Sequence, residues 1–478
     1  MTRNDILYLL PLIVLAASSV LLMFLIALKL SHRFIQLSSM LLFGSAILTL
    51  FVPPKELPYY VEPLVVIDDF SIYIMGLIML SSLVVNILSY IYFEEKEEGP
   101  KEYYVLLFLC TLGACVLAVS KHFVSLFLGL EILTVGLYAL IAYLRTRNNN
   151  IEAGIKYLVL AAFSAAFLLF GMALIYLETG SMEFSVISRN VSQLETLTPV
   201  FLTGLGLMMV GIGFKLAVVP FHMWTADVYQ GAPSPVTAFI ATASKGGVLV
   251  VFFRFLIMID AFRFQSVMVV ITYTAIASMV VGNILALQQT NVKRLLAYSS
   301  IAHLGYLLVA FLPGSVLSLH AVSFYLTVYI ISILCAFGVL TVLSVKEKDA
   351  EDIESFRALF WQEPALACVF SAALLSLAGI PLTAGFIGKF FILAGGLEAG
   401  YLLTVIVLVL SSVIGLYYYL RIITSMFSGQ NIGGFKQKKT HPIFYMLCVF
   451  ILAALTVLIL WFGVYPSTIM DFIEDLQL

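Results

Sequence analysis

Charge is scarce in this sequence. Asp, Glu, Lys and Arg make up 11% of 478 residues, against about 25% in an ordinary soluble domain. Hydrophobic residues make up 62% and the mean hydropathy is +1.08, which excludes a soluble fold. A net charge of -2 offers no basic surface for nucleic acid. The five cysteines, Cys110, Cys115, Cys335, Cys368 and Cys448, all lie in apolar runs without a Cys-x-x-Cys pair or a Cys/His cluster. That argues against a disulfide framework, an iron–sulfur site or zinc, and reads as small buried hydrophobes. The six histidines lack metal-ligand spacing, so no metal is assigned. Walker, Rossmann, Gly-x-Ser-x-Gly and protease motifs are absent. The chain reads as an integral membrane protein without a redox centre of its own.

Long apolar runs are what the sequence has in abundance. A helical crossing takes about 20 apolar residues. Such stretches fall at about 6–28, 34–52, 70–92, 103–119, 122–144, 153–177, 200–220, 235–258, 265–288, 295–312, 318–344, 364–395, 400–427 and 443–465. The expected fold is therefore an all-α polytopic membrane protein with about 14 transmembrane helices. The first run exceeds a signal-peptide core and has no cleavage site after it. An even count puts both termini on one side. With the N-terminus outside, inside loops hold fifteen Lys and Arg; outside loops hold six, Arg3, Lys55, Lys121, Arg189, Arg254 and Arg263. The positive-inside rule favours that arrangement. Glu94-Glu95-Lys96-Glu97-Glu98 and Lys346 through Glu354 read as solvated inside loops, and Tyr417-Tyr418-Tyr419 as an interfacial aromatic anchor.

This census leaves four basic residues inside helices, Lys156, Lys215, Lys245 and Lys389, and one acid, Glu131. An ionisable group at the bilayer centre costs at least about 2.5–3.5 kcal/mol on insertion scales. Such groups must face one another, water or a neighbouring subunit. Desolvation lowers the pKa of a buried lysine, and a nearby carboxylate restores its charged form. A lysine of that kind can load and release a proton. The bland alternative is snorkelling from a helix end, and Lys156, one turn after Glu152, fits it best.

Two of these lysines neighbour helix-breaking residues. Lys215 precedes Pro220, and Lys389 follows Gly379-Ile380-Pro381 and Gly385. Broken backbone at membrane depth is tolerated only where it lines a cavity or is buried in protein. The seventh and twelfth spans are five apart. That spacing predicts two inverted five-helix repeats, spans 4–8 (residues 101–260) and 9–13 (residues 261–430), preceded by a three-helix segment (1–100) and followed by a C-terminal helix (431–478). His222 lies just past the first break and His303 within the tenth span, where an imidazole suits a relay or simple packing. His32, His122 and His441 read as loop residues, and His320 as a helix-end one.

Long motifs then carry a resemblance. Leu-Gly-Leu-Glu at Glu131, Glu-Ala-Gly-Ile-Lys-Tyr at Lys156, Phe214-Lys215-Leu216 through Pro233, Gln289 through Tyr306 and Ser376 through Phe390 resemble the antiporter-like membrane subunits of respiratory complex I over nearly the whole chain. The Asp-Val-Tyr-Gln-Gly-Ala-Pro wording, a lysine in the twelfth span and the lack of a long lateral helix resemble the subunit N branch, counterpart of mitochondrial subunit 2, in its bacterial 14-helix form. The resemblance implies that Glu131 and Lys215 form the charge pair of a first half-channel. Lys245 would be the central relay and Lys389 would serve a second half-channel, with Lys156, His222 and His303 secondary. It implies a subunit of a proton-translocating NADH:quinone oxidoreductase in the bacterial inner membrane, both termini periplasmic. Its partners would be other membrane subunits, including the paralogous antiporter-like ones, and the lipid bilayer. NADH, FMN, iron–sulfur clusters and quinone would belong to the whole complex, with none bound by this chain. A multisubunit Na+/H+ antiporter or membrane-bound hydrogenase subunit is the alternative, and a purely structural anchor is the rival of another class.

Overall fold

The computed structural model describes residues 2–52, 57–96, 100–144, 147–193, 195–344, 349–429 and 442–477. Outside the described residues lie Lys55, Glu97, Glu98, Arg145, Lys346, Lys348, Lys436, Lys438, Lys439, His441 and Leu478, with the side chains of Glu95 and Lys96.

Helices follow the apolar runs closely: α1 (Leu10–Ala27), α2 (His32–Leu48), α3 (Asp69–Lys96), α4 (Glu102–Val119), α5 (Phe123–Ile141) and α6 (Asn148–Thr179). The seventh span is split into α7a (Pro199–Leu216) and α7b (Thr225–Gly231). Next come α8 (Ser234–Met258), α9 (Gln265–Leu287), α10 (Val292–Phe311) and α11 (Val316–Leu343). The twelfth span is likewise split, into α12a (Pro364–Ala378) and α12b (Ala384–Glu398), before α13 (Leu402–Phe427) and α14 (Pro442–Val464). Among the described residues, 13 helices are long and apolar enough to cross a membrane, and the half-helix pair α12a/α12b makes the fourteenth. Polar side chains close several starts: Ser31 accepts from Phe34 N–H before α2, Thr198 from Phe201 N–H before α7a, and Asn291 from Arg294 N–H before α10. These supply partners for otherwise orphaned amides.

Two features lie outside the expected run of spans. A small antiparallel hairpin pairs β1 (Tyr59–Val61) with β2 (Val65–Ile67), too short to show an alternating pattern in sequence. An amphipathic helix, Phe184–Ser192, also lies in the connection after α6 and buries Phe184, Ile187 and Val191.

The bundle is built around α8 and α11, whose membrane-length cores are wholly buried, with α10 nearly so. An all-round apolar helix belongs in such a place. Close crossings rely on small residues, as membrane packing favours. A Cβ on Gly171 of α6 would lie 2.5 Å from the Gly204 carbonyl of α7a, and one on Gly282 of α9 would lie 2.8 Å from Ala302 N of α10. Both termini meet at one end of the bundle: Tyr59 donates to Asp5 at 2.7 Å, and Phe70 N–H donates to the Gln477 carbonyl at 3.4 Å.

Arg254 corrects the loop census. It lies in α8, 1% exposed, and donates to Asp68 at 2.5 and 2.9 Å from its two terminal nitrogens. The apolar run around it ends five positions later, at Ile259, so hydropathy placed it at a span's edge. The opposite end holds a second buried cluster, in which Asp349 takes Lys293 at 2.8 Å, Arg147 at 3.2 Å and the Tyr92 hydroxyl at 2.9 Å. His32, read as a loop residue, instead opens α2 and is packed against Tyr104. His122 caps α5 by accepting from Val124 N–H.

Candidate functional site

The first cluster lies between α5 and α7a. Lys215 is the second-last residue of α7a, just before Ala217 turns into the left-handed region (φ 60°) and ends the helix. The break thus starts three residues ahead of Pro220. Lys215 Nζ donates to Thr134 Oγ1 of α5 at 2.7 Å and stands over the rings of Tyr157 (5.2 Å) and Phe214 (5.7 Å). Glu131, one turn before Thr134, is close enough to act electrostatically on Lys215. No ion pair within 4.0 Å joins the two, and Glu131 Oε1 is buried without a protein partner. The sequence therefore brings the pair together, but in an open arrangement. The other edge of Glu131 is only partly covered, on a helical stripe with the exposed Val124, Leu128 and Val135.

The second cluster sits at the centre. Lys245, 1% exposed, follows a single π-helical turn, Ile240–Ser244, in α8. Such turns often mark functional positions. Its Nζ donates to Ser300 Oγ of α10 at 2.7 Å, and Ser300 is hydrogen-bonded to the Tyr329 hydroxyl of α11. One turn along α10, His303 is held between the hydroxyls of Tyr325 (2.7 Å) and Tyr419 (3.2 Å). Tyr418 joins the same group by donating to Asn283 at 3.0 Å.

The third cluster closes the series. Gly379, at φ +81°, stops α12a, and Lys389 reaches back from α12b to the end of that half-helix. Its Nζ donates to the Leu377 and Ala378 carbonyls, each at 2.9 Å, and to Ser412 Oγ at 2.8 Å. It also stands 5.1 Å from the Tyr306 ring. These carbonyls are among those a helix end leaves without an internal partner, and the dipole of α12a favours a cation there.

Between the first and second clusters the connection is aromatic: Tyr157 packs on Trp224, Trp224 on Tyr229, and the Tyr229 ring lies 5.5 Å from Lys245. Amines, hydroxyls, an imidazole and one carboxylate thus follow one another through the core. Every one can give or take a proton or a hydrogen bond.

Lys156 stands apart. Its side chain is 43% exposed near the start of α6 and pairs with Glu152 at 2.7 Å and Asp227 at 3.0 Å. The sequence placed it inside a helix near its start, and the structure has it there, outside the buried series. His222 is buried in the break after α7a, with Nδ1 lacking a protein partner, and among the described residues no hydrogen bond joins it to the lysines. The interfacial-anchor reading of Tyr417-Tyr418-Tyr419 fails for two of the three, and Tyr417 alone is exposed. Tyr418 and Tyr419 are each 1% exposed and belong to the central cluster. Sequence reading also missed Thr134, Ser300, Tyr325 and Tyr329. The available signal was helical spacing: Thr134 is three residues from Glu131, and Ser300 three from His303.

The comparisons with known proteins bear on family and fold. A family model for the transmembrane part of NADH:quinone oxidoreductase/Mrp antiporter subunits matches residues 120–415. The chain is similar to one in respiratory complex I from Thermus thermophilus, with 32% identity, 96% of this chain and 98% of that chain covered, and a TM-score of 0.82. The fold is shared with a chain of the Mrp complex from Dietzia sp. (20% identity, 99% and 97% covered, TM-score 0.85). It is also shared with a chain of the membrane-bound sulfane sulfur reductase, an archaeal respiratory membrane complex (24% identity, 98% and 96% covered, TM-score 0.82). The chain belongs to the NADH:quinone oxidoreductase/Mrp antiporter family of multi-pass membrane subunits.

Proposed function

We propose that this chain is a proton-translocating membrane subunit, of the subunit N type, in a bacterial NADH:quinone oxidoreductase. The observation that carries the reading is the buried series Lys215, Lys245 and Lys389, each amine resting on neutral acceptors instead of a carboxylate. An ammonium without a counter-ion in a desolvated site is poised to lose its proton. Quinone reduction elsewhere in the complex changes the charge of neighbouring membrane subunits, and Glu131 passes that change to Lys215. The proton moves by bound water past the Tyr157, Trp224 and Tyr229 rings to Lys245, then through Ser300, Tyr329 and His303 to Lys389.

The remaining assignments follow from the same reading. Glu131 lies at mid-span on an otherwise apolar exposed stripe, which fits coverage by a neighbouring membrane subunit. NADH, FMN, iron–sulfur clusters and quinone are held by other subunits. The split spans α7a/α7b and α12a/α12b, each with a buried lysine, support two related units at 101–260 and 261–430. The bias of basic residues supports periplasmic termini in the inner membrane. The 32% identity to a complex I chain supports the complex I reading, and within it a lysine in α12b favours subunit N. A Na+/H+ antiporter subunit is the second reading, because the family model also covers Mrp antiporters. Affinity purification of the tagged chain from its native membrane separates them. Co-purifying flavin and iron–sulfur subunits with NADH:quinone turnover are expected; a complex without them, driving Na+/H+ exchange, would establish the second reading.

A further inference from the structure

Lys215 has two acceptors within reach on one face of α5. Thr134 holds it now, at 2.7 Å. The Thr134 hydroxyl hydrogen is already committed to the Leu130 carbonyl at 2.6 Å, so its lone pairs are left for the ammonium. Two ring faces, Tyr157 and Phe214, complete the seat. Glu131 lies three residues earlier, and positions three apart on a helix have Cβ atoms about 5–6 Å from each other. Its Oε1 is buried and unpartnered, which is costly for a carboxylate oxygen. A four-carbon lysine stem with rotatable donors spans such a step without backbone movement.

We propose that Thr134 is a positioning residue that holds Lys215 off Glu131, giving the pair an open state on the hydroxyl and a closed state on the carboxylate. This rests on the reading of Lys215 and Glu131 as a proton-transfer pair. In the open state Glu131 is free to respond to a charge brought against its exposed side. In the closed state the carboxylate is neutralised and the amine holds its proton. Thr134 therefore sets how readily the pair opens. Without its oxygen the ammonium has only Glu131 as a hydrogen-bond acceptor on this face of α5, and the pair stays closed. The Leu130 bond is internal to the helix and plays no part in this choice.

The test compares Thr134→Val, which keeps shape and removes the acceptor, with Thr134→Ser, which keeps the hydroxyl. NADH-driven proton pumping is measured in inverted membrane vesicles and normalised to assembled complex, with Lys215→Ala alongside. A charge-assisted hydrogen bond contributes enough that Thr134→Val should lower pumping about fivefold or more, while Thr134→Ser retains most of it. Redox-induced infrared difference spectra supply a readout that a packing role would not move. The Glu131 carboxyl signal, assigned by its loss in Glu131→Gln, should shrink in Thr134→Val and persist in Thr134→Ser. Wild-type pumping and an unchanged carboxyl signal in Thr134→Val, with Lys215→Ala inactive, would overturn the proposal and leave the proton-transfer reading standing. Equal losses in Thr134→Val and Thr134→Ser would overturn it too, since the hydroxyl would then not be the operative group. Wild-type pumping in Lys215→Ala would overturn the underlying reading itself.

Discussion

Lys245 donates to Ser300 as its hydrogen-bond acceptor, and Ser300 in turn holds Tyr329. Ser300→Ala leaves a buried amine without that partner, which should destabilise the protein by about 1–3 kcal/mol. The expected outcome is a lower thermal midpoint for the complex and slower pumping per assembled complex; wild-type behaviour in both would remove Ser300 from the path. The lysines themselves were legible in the sequence because a charge in an apolar run is conspicuous. Ser300, Thr134, Tyr325 and Tyr329 were not, because serine, threonine and tyrosine are ordinary in membrane helices and satisfy themselves on nearby groups. Tyr418 and Tyr419 were misread for a related reason. Aromatic residues near a basic one look like an interface belt, and only the packing of α13 against α9 and α10 shows them turned inward.

At the scale of elements, the two broken spans decide where the lysines stand. Both breaks were legible from proline and glycine, but their exact stops were not: α7a ends at a non-glycine residue in the left-handed region, Ala217. The α12 break offers a clean comparison. Gly379 has φ +81°, and a Cβ there would lie 2.8 Å from the Lys389 Cδ. Gly180, at the end of α6, has φ +68° with open space around it. Alanine at either position should cost about 1–2 kcal/mol in backbone strain. Only Gly379→Ala should also displace Lys389 and lower pumping, measured per assembled complex. Equal pumping in the two variants would argue that Lys389 does not need this seat.

The whole molecule is closed by buried charge at both ends of the bundle, with Asp68–Arg254 at one and Asp349 with Lys293 and Arg147 at the other. Arg254→Leu strands Asp68 and should cost about 3–5 kcal/mol, whereas a matched pair of apolar replacements at both positions should recover most of it. Yield and thermal inactivation of the assembled complex read this directly. The span count, and with it the alternation of loops, was legible because each apolar run is long enough to identify a crossing. The end clusters were not, since they join residues such as Asp68 and Arg254 that are 186 positions apart. Loop charge predicts the orientation: a reporter fused after Leu478 should read as periplasmic and one within 346–354 as cytoplasmic, and the reverse pattern would exchange the two proposed half-channels.

The most direct test of proton transfer through the buried series is Lys215→Arg in the assembled complex. Arginine keeps the positive charge and the capacity to donate, but it cannot give up its proton. NADH-driven pumping and quinone reduction are measured in the same membranes, normalised to complex content. Loss of pumping, together with the quinone turnover coupled to it, is the expected result. Pumping at the wild-type rate in an intact Lys215→Arg complex would contradict the role of Lys215 as a proton carrier and make it a brace between α5 and α7a.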